Sequence, residues 1–315
     1  MPRICQLFAA AALALAMIMS SHAAPMAYVP NEGSGTVSVI DTSTQRVSAT
    51  LKIGEKPRGI AISRDGVRLF VSDQTGSVIA YDVATRHELA RIPVGKSPEA
   101  VYLSPDGKLL SVAIEENDQV ALIDTAALRV VRTVRVKGKN PEHAVFSPDG
   151  NWIFASAEEA DSVDVIDMAK GAVVKSITVG QRPRGIGFLP DGSRAYVAAE
   201  HQDVVSVIDV ARQEVIAQVK AASRSNGITV HPDGKRVFVS AGGAGVVQVL
   251  DTTTNTIIAQ VEVGKRPWNM ALTPDGSKLF VACGRSNAIA VVDTSTYTKT
   301  TEIAVGSLPW GVVIR

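Results

Sequence analysis

A run rich in valine and isoleucine and closed by aspartate recurs seven times along this chain, at Asp41, Asp82, Asp124, Asp167, Asp209, Asp251 and Asp293. Successive copies stand 41, 42, 43, 42, 42 and 42 residues apart. A period of roughly 40–45 residues, filled with short strands and tight turns, is the length of one four-stranded propeller blade. The spacing predicts an all-β, seven-bladed β-propeller. Length alone would favour two domains; the unbroken period favours one, over residues 24–315.

One repeat shows how a blade is written. Residues 59–63 (GIAIS) read as an apolar inner strand, Asp65-Gly66 as its turn, 69–72 (LFVS) as the second strand, 77–81 as the third and 89–94 as the outer one. The turn glycine is free to take positive φ, and Asp82 starts the next turn by accepting from the backbone beyond it. Pro93 is tolerable because an outer strand is an edge. The word PDG returns with Asp106, Asp149, Asp191, Asp233 and Asp275. Five residues after the turn aspartate stand Phe70, Phe154, Tyr196, Phe238 and Phe280, with Tyr28 in the N-terminal copy and Ser111 as the exception. Large side chains in a repeated slot predict packing between blades. The N-terminal copy lacks an inner strand, and a matching segment stands at 311–315 (GVVIR). One blade is therefore predicted to take three strands from the front of the chain and one from its end, which pairs otherwise open sheet edges.

Residues 1–23 read as a secretory signal peptide: Arg3, an apolar run over 4–19, then Ser21 and Ala23 before a cut. The expectation is export, in a bacterium to the periplasm, with no membrane span once the signal is removed. Without Arg3, 31 basic residues face 31 acidic ones, so net charge gives no reason to expect nucleic acid or a membrane surface as partner. Cys283 is then the one cysteine left, which excludes an internal disulfide, and its slot holds Ala157, Ala199 and Ala241 in other repeats. No pair of histidines or cysteines shows metal-ligand spacing; neither a metal nor a cofactor is expected to be required.

These repeats resemble the YVTN family of β-propellers. The matching words are LFVSD, AYVAA, VFVSA and LFVAC in the name-giving slot, the VIDT and VVDT strand ends, and GxxPxG at 54–59 and 180–185. Within that family the chain is most similar to the β-propeller proteins associated with PQQ-dependent alcohol catabolism. The resemblance implies a periplasmic accessory protein with a dehydrogenase or cytochrome as partner. The chain does not resemble a quinoprotein dehydrogenase itself, and it has no C-x-x-C-H for covalent haem.

Propeller geometry puts the PDG and DTxT turns on one face and the blade-entry loops on the other. The first set is monotonous; the second varies, which is where a ligand would be read. At the position that opens each inner strand stand Arg58, Glu99, Glu142, Arg184, Asn226, Trp268 and Trp310, and His143 follows where other copies often have glycine. These eight are the candidate channel-mouth residues. Lys56, Lys96, Lys139, Arg182, Arg224, Lys265 and Arg266 beside them predict a basic inner rim, and Asp73, Glu115, Glu116, Asp118, Glu158, Glu159, Asp161, Glu200 and Asp203 an acidic outer collar. Two readings of that rim stand: ordinary solvated loop charge, or a funnel for a small anionic ligand such as PQQ or another carboxylate, stacked on Trp268 or Trp310. His143 is either a hydrogen-bonded loop histidine or a general base.

The leading functional expectation is a non-catalytic, monomeric binding propeller. The alternatives are a lactonase-type hydrolase working at the mouth and a cell-surface interaction module.

Overall fold

Seven four-stranded antiparallel sheets make up the computed structural model, which describes residues 24–315. The signal-peptide expectation falls on residues 1–23 and lies outside the described residues. In every blade the second and third strands are almost wholly buried, whereas the outer strand buries little more than one position, as in Arg46–Lys52 and Glu214–Lys220. Strands covered on both faces need continuous apolar runs, and an edge strand needs only its inward residue. The valine/isoleucine runs and the polar outer strands meet those two demands. Among the described residues no helix is long and apolar enough to cross a membrane.

The ring closes as the missing-strand argument predicts. Val313–Ile314 pairs with Met26–Asn31, completing a blade with Thr36–Asp41 and Arg46–Lys52. Arg315 and Met26 exchange backbone hydrogen bonds at 2.7 and 3.0 Å, and Trp310 N donates to Pro30 O at 3.0 Å. We number this shared blade 1; blades 2 to 7 follow in chain order, with inner strands Pro57–Ile62, Pro98–Leu103, Pro141–Phe146, Pro183–Phe188, Ser225–Val230 and Pro267–Leu272.

Phe70, Phe154, Tyr196, Phe238 and Phe280 are fully buried, and Tyr28 nearly so. The exception at Ser111 has a packing reason. In the ladder Phe70 faces Ala61, Tyr196 faces Gly187 and Phe280 faces Ala271, but Ser111 faces Tyr102. The bulk has moved from the second strand to the inner one, and it carries a phenol with it. Ser111 Oγ instead donates to Ala144 O at 2.5 Å, tying blade 3 to blade 4. Ser72 and Ser240 make the same kind of tie, to Glu99 O at 2.6 Å and Trp268 O at 2.5 Å.

The monotonous face is built from one repeated device. Asp41 Oδ1 accepts from the backbone of Ser43 and Thr44 at 2.8 and 3.0 Å, and Asp124, Asp251 and Asp293 repeat it. Hydrogen bonds from Ser295 and Thr296 hold the Asp293 carboxyl down to about 2. Arginines bridge blades on this face: Arg68, Arg194 and Arg236 donate to Thr125 O, Thr252 O and Thr294 O at 3.0, 2.6 and 2.6 Å.

Candidate functional site

On the opposite face each inner strand begins with a bulge. The register slips by one residue between Pro57 and Ile60, Pro98 and Val101, Pro141 and Ala144, Pro183 and Ile186, Ser225 and Ile228, and Pro267 and Met270. A bulge adds one residue to one strand and re-aims the side chain there. The candidate mouth residues Arg58, Glu99, Glu142, Arg184, Asn226 and Trp268 all occupy this bulge. In three of these bulges glycine follows, at Gly59, Gly185 and Gly227, and lets neighbouring inner strands approach: a Cβ on Gly59 would collide with the carbonyl of Glu99.

The eight candidates converge. Arg58, Glu142, Arg184, Asn226, Trp268 and Trp310 line one cavity of about 120 Å³ together with Glu32 and Arg266. Glu99 stands behind Arg58, fully buried. His143 lies buried against Trp310, ring centroids 6.0 Å apart and stacked, with Nδ1 2.6 Å from the Tyr102 hydroxyl. A second cavity of about 100 Å³, lined by Tyr102, Asn269, Trp310 and inner-strand aliphatics, occupies the channel.

The charge map differs from the predicted basic rim and acidic collar. Glu115, Glu158 and Glu200 were expected outside; they fold inward, and Glu158 and Glu200 are buried. Each stands one residue past the second strand, as do Glu32, Gln74, Gly242 and Gly284 in their blades. This forms a second ring of positions around the mouth that sequence reasoning missed. The seven-fold alignment itself was the available signal, because this column holds four glutamates. The collar aspartates are architectural. Asp73 is buried and accepts from the backbone of Glu55 and Lys56 at 2.9 and 3.1 Å. Asp118, Asp161 and Asp203 accept from the backbone of Asn140, Arg182 and Arg224 in the next blade at 3.0, 3.0 and 2.7 Å.

Nor is the inner rim basic in effect, because its arginines are neutralised. Arg58 contacts Glu99 Oε1 at 2.5 Å and Glu32 Oε2 at 3.1 Å. Arg184 contacts Glu142 Oε1 at 2.5 Å, Glu200 Oε2 at 3.0 Å and also Glu158. Arg266 reaches Glu200 Oε1 at 2.6 Å, and Arg182 reaches Glu158 Oε2 at 3.2 Å. Burial and then the charge of Glu142 push the Glu158 carboxyl up to about 8, against Arg184 and Arg182. The same pair of causes raises Glu99. Burial also raises Glu142 and Glu200, but their arginines outweigh it and hold both below the ordinary carboxylate range. Burial lowers His143 to about 4, so its imidazole is neutral at pH 7.

The remaining arc of the face is different. In blades 6 and 7 the second ring holds Gly242 and Gly284. The Trp268 ring lies over Gly284, so close that a Cβ there would strike it, and the Arg266 guanidinium stands 6.0 Å from that ring's centroid. Beside these lies a cleft of about 940 Å³, floored by Gly242, Gly243, Gly245 and Gly264. Its cations are Arg224, Lys265, Arg266, Arg285 and Lys299, against Glu262 and Glu302. Cys283 is buried nearby, its thiol pushed up to about 12 by burial, so it is unreactive.

A YNCE-like β-propeller family model matches residues 68–166, and a seven-bladed lactonase β-propeller family model matches residues 172–306. Those comparisons place the chain among the seven-bladed β-propellers. No curated protein matches the sequence. Among solved structures, Kuenenia stuttgartiensis hydrazine synthase is similar at 25% identity, over 85% of this chain and 92% of that one, with a TM-score of 0.78. A functionally unknown protein from Desulfotomaculum acetoxidans DSM 771 is 19% identical over 92% and 98%, TM-score 0.81. A candidate 6-phosphogluconolactonase from Bacteroides fragilis NCTC 9343 is 20% identical over 94% and 99%, TM-score 0.79. The last two likenesses carry the fold alone.

Proposed function

We propose that this chain is a non-catalytic binding propeller, exported to the periplasm and accessory to PQQ-dependent alcohol oxidation, which recognises a small carboxylate ligand on its varied face. The observation that carries the binding reading is the basic cleft over blades 6 and 7. Its volume, about 940 Å³, lies in the range of small-molecule sites. Among the described residues Lys265 and Arg285 make no ion pair, so their charge is available to an incoming anion. The central cavity, about 120 Å³, has room for roughly four waters at about 30 Å³ each. Its arginines are already engaged. A planar tricarboxylate such as PQQ is therefore better matched in sign and size by the cleft than by the mouth. The link to alcohol oxidation rests on the repeat resemblance, and a periplasmic dehydrogenase or cytochrome is the corresponding protein partner.

The test is equilibrium titration of the mature chain with PQQ and with small di- and tricarboxylates, repeated on a Lys265→Glu, Arg285→Glu double variant. Saturable binding lost in the variant is expected. Absence of binding for every carboxylate, or binding that survives the charge reversal, would contradict the proposal.

A second reading, lactone hydrolysis at the mouth, is favoured by two observations. The lactonase match spans Arg184, Glu200 and Arg266. Glu158 also keeps its proton near neutral pH, as a general acid must. Turnover in a lactone screen, abolished by Glu158→Gln, would establish that reading over the first.

A further inference from the structure

The mouth network is not closed in charge. Around blades 1 to 4 the five carboxyls of Glu32, Glu99, Glu115, Glu142 and Glu158 face the three guanidiniums of Arg58, Arg182 and Arg184, an excess that the proton kept by Glu158 meets only in part. Glu200 shares Arg182 and Arg184 with this group and has Arg266 in addition. The surplus has a focus. Glu99, Glu115 and Glu142 each bring a carboxylate oxygen within 4.8 Å of the other two.

A second observation is independent of that clustering. Glu99 is 0% exposed, and its Oε1 is fully used by Arg58 at 2.5 Å and Gln74 at 3.0 Å, yet its Oε2 is buried with no hydrogen-bond partner. An orphaned buried carboxyl oxygen costs its own desolvation, and costs more when the group is ionised. A ligand that supplies positive charge there removes the cost.

We propose that Glu99, Glu115 and Glu142 hold one Ca²⁺ ion at the channel mouth. The donors are hard oxygens from three side chains, which suits Ca²⁺ or Mg²⁺ and neither thiophilic nor imidazole-loving metals. Mg²⁺ is ordinarily held by one or two carboxylates and keeps most of its waters, so a set of three protein carboxylates suits Ca²⁺, the larger ion with about six to eight oxygen ligands. The half-exposed Glu115 opens the site to water, which completes the shell. Two features of the fold hold the donors. Glu99 and Glu142 sit on adjacent inner-strand bulges, and Ser97 Oγ fixes Glu115 Oε2 at 2.8 Å. Arg58 and Arg184 engage Oε1 of Glu99 and Oε1 of Glu142, which holds both carboxylates in place and also tempers the affinity.

The inference stands on the mouth alone and is independent of carboxylate binding in the cleft. Its test uses the mature chain stripped with chelator, titrated with Ca²⁺ by calorimetry and followed by thermal unfolding, without other ligand. Expected are one Ca²⁺ per chain, a rise in Tm with Ca²⁺ concentration, and affinity at least ten-fold weaker in Glu115→Gln, whose half-exposed position spares the fold. Glu99→Gln, which keeps the shape of a protonated carboxyl, should abolish binding while leaving the metal-free Tm at or above that of the parent. No Ca²⁺ binding at millimolar concentration by the folded chain would overturn the proposal. Affinity unchanged in both variants, or Mg²⁺ giving the same response at the same concentration, would overturn it equally.

Discussion

The two arcs of the varied face are built on one repeat and end in opposite chemistry. Over blades 3 to 5 the residue after the second strand is glutamate; Glu158 and Glu200 reach inward to Arg182 and Arg184, and Glu115 accepts from Ser97 Oγ. Over blades 6 and 7 it is glycine, so Trp268 and Arg266 lie down on the vacated backbone and a wide basic cleft opens beside them. One column of the alignment therefore decides whether a blade contributes buried acid or open space. A repeat fixes the scaffold through what is copied, and it carries a site through what is not.

The most drastic way to break the comparison is to open the ring that holds both arcs. Deleting residues 309–315 removes Trp310 from the mouth and leaves Met26–Asn31 an unpaired inner edge. We expect aggregation on size-exclusion chromatography and loss of the cooperative unfolding transition. A truncated chain melting like the parent would refute the closure.

Removing one guanidinium from the acidic arc is the next largest effect. Arg184→Met strands Glu142 and takes one arginine each from Glu158 and Glu200, and breaking a buried pair from one side costs about 3–5 kcal/mol. Chemical denaturation reads this directly. On the other arc Gly284→Ala places a methyl against the Trp268 ring; overpacking of this kind costs about 1–3 kcal/mol. A change in tryptophan emission should accompany it. If alanine at 284 is neutral, the ring does not rest where the structure puts it.

A subtler test is the pH dependence of the acidic arc. Glu158 titrates at about 8, so between the ordinary carboxylate value and pH 8 the folded chain holds a proton that the unfolded chain has lost. Stability should fall as pH rises through that window and level off above it, by no more than about 1.4 kcal/mol per pH unit for one proton. His143 acts in the opposite sense at lower pH. Its folded value of about 4 means that stability is lost as pH falls from about 6.5 towards 4. Unfolding followed from pH 6.5 to 8.5 should slope in the parent and slope less in Glu158→Gln, where Glu99 is left as the raised carboxyl. The smallest effect is expected on the monotonous face, where Asp124→Ala removes one copy of a repeated exposed turn device. A shift as large as that of Arg184→Met would mean the two faces do not differ as described.

Much of this was legible in the chain. The period gave the blades, and a segment missing at one end and present at the other gave the closure. The residues opening each inner strand pointed to the mouth, because a bulge at a fixed place in every copy delivers them to one ring. The sign of the mouth was not legible. Glu115, Glu158 and Glu200 lie in loops that follow the second strand, and chain order alone assigns such loops to an outer collar. In three dimensions the end of the second strand lies beside the start of the first, so these acids return to the axis. Tyr102 was hidden for a similar reason. Its slot becomes informative only when Ser111 opposite is read as its partner.

The acids of blades 4 and 5 belong to a buried network at the mouth and not to a solvated collar. A double-mutant cycle between Arg184→Met and Glu142→Gln, read by denaturant unfolding, tests this most directly. Contact at 2.5 Å in a buried site predicts a coupling of about 1–3 kcal/mol. Effects that add to within about 0.5 kcal/mol, as for separate solvated charges, would contradict it.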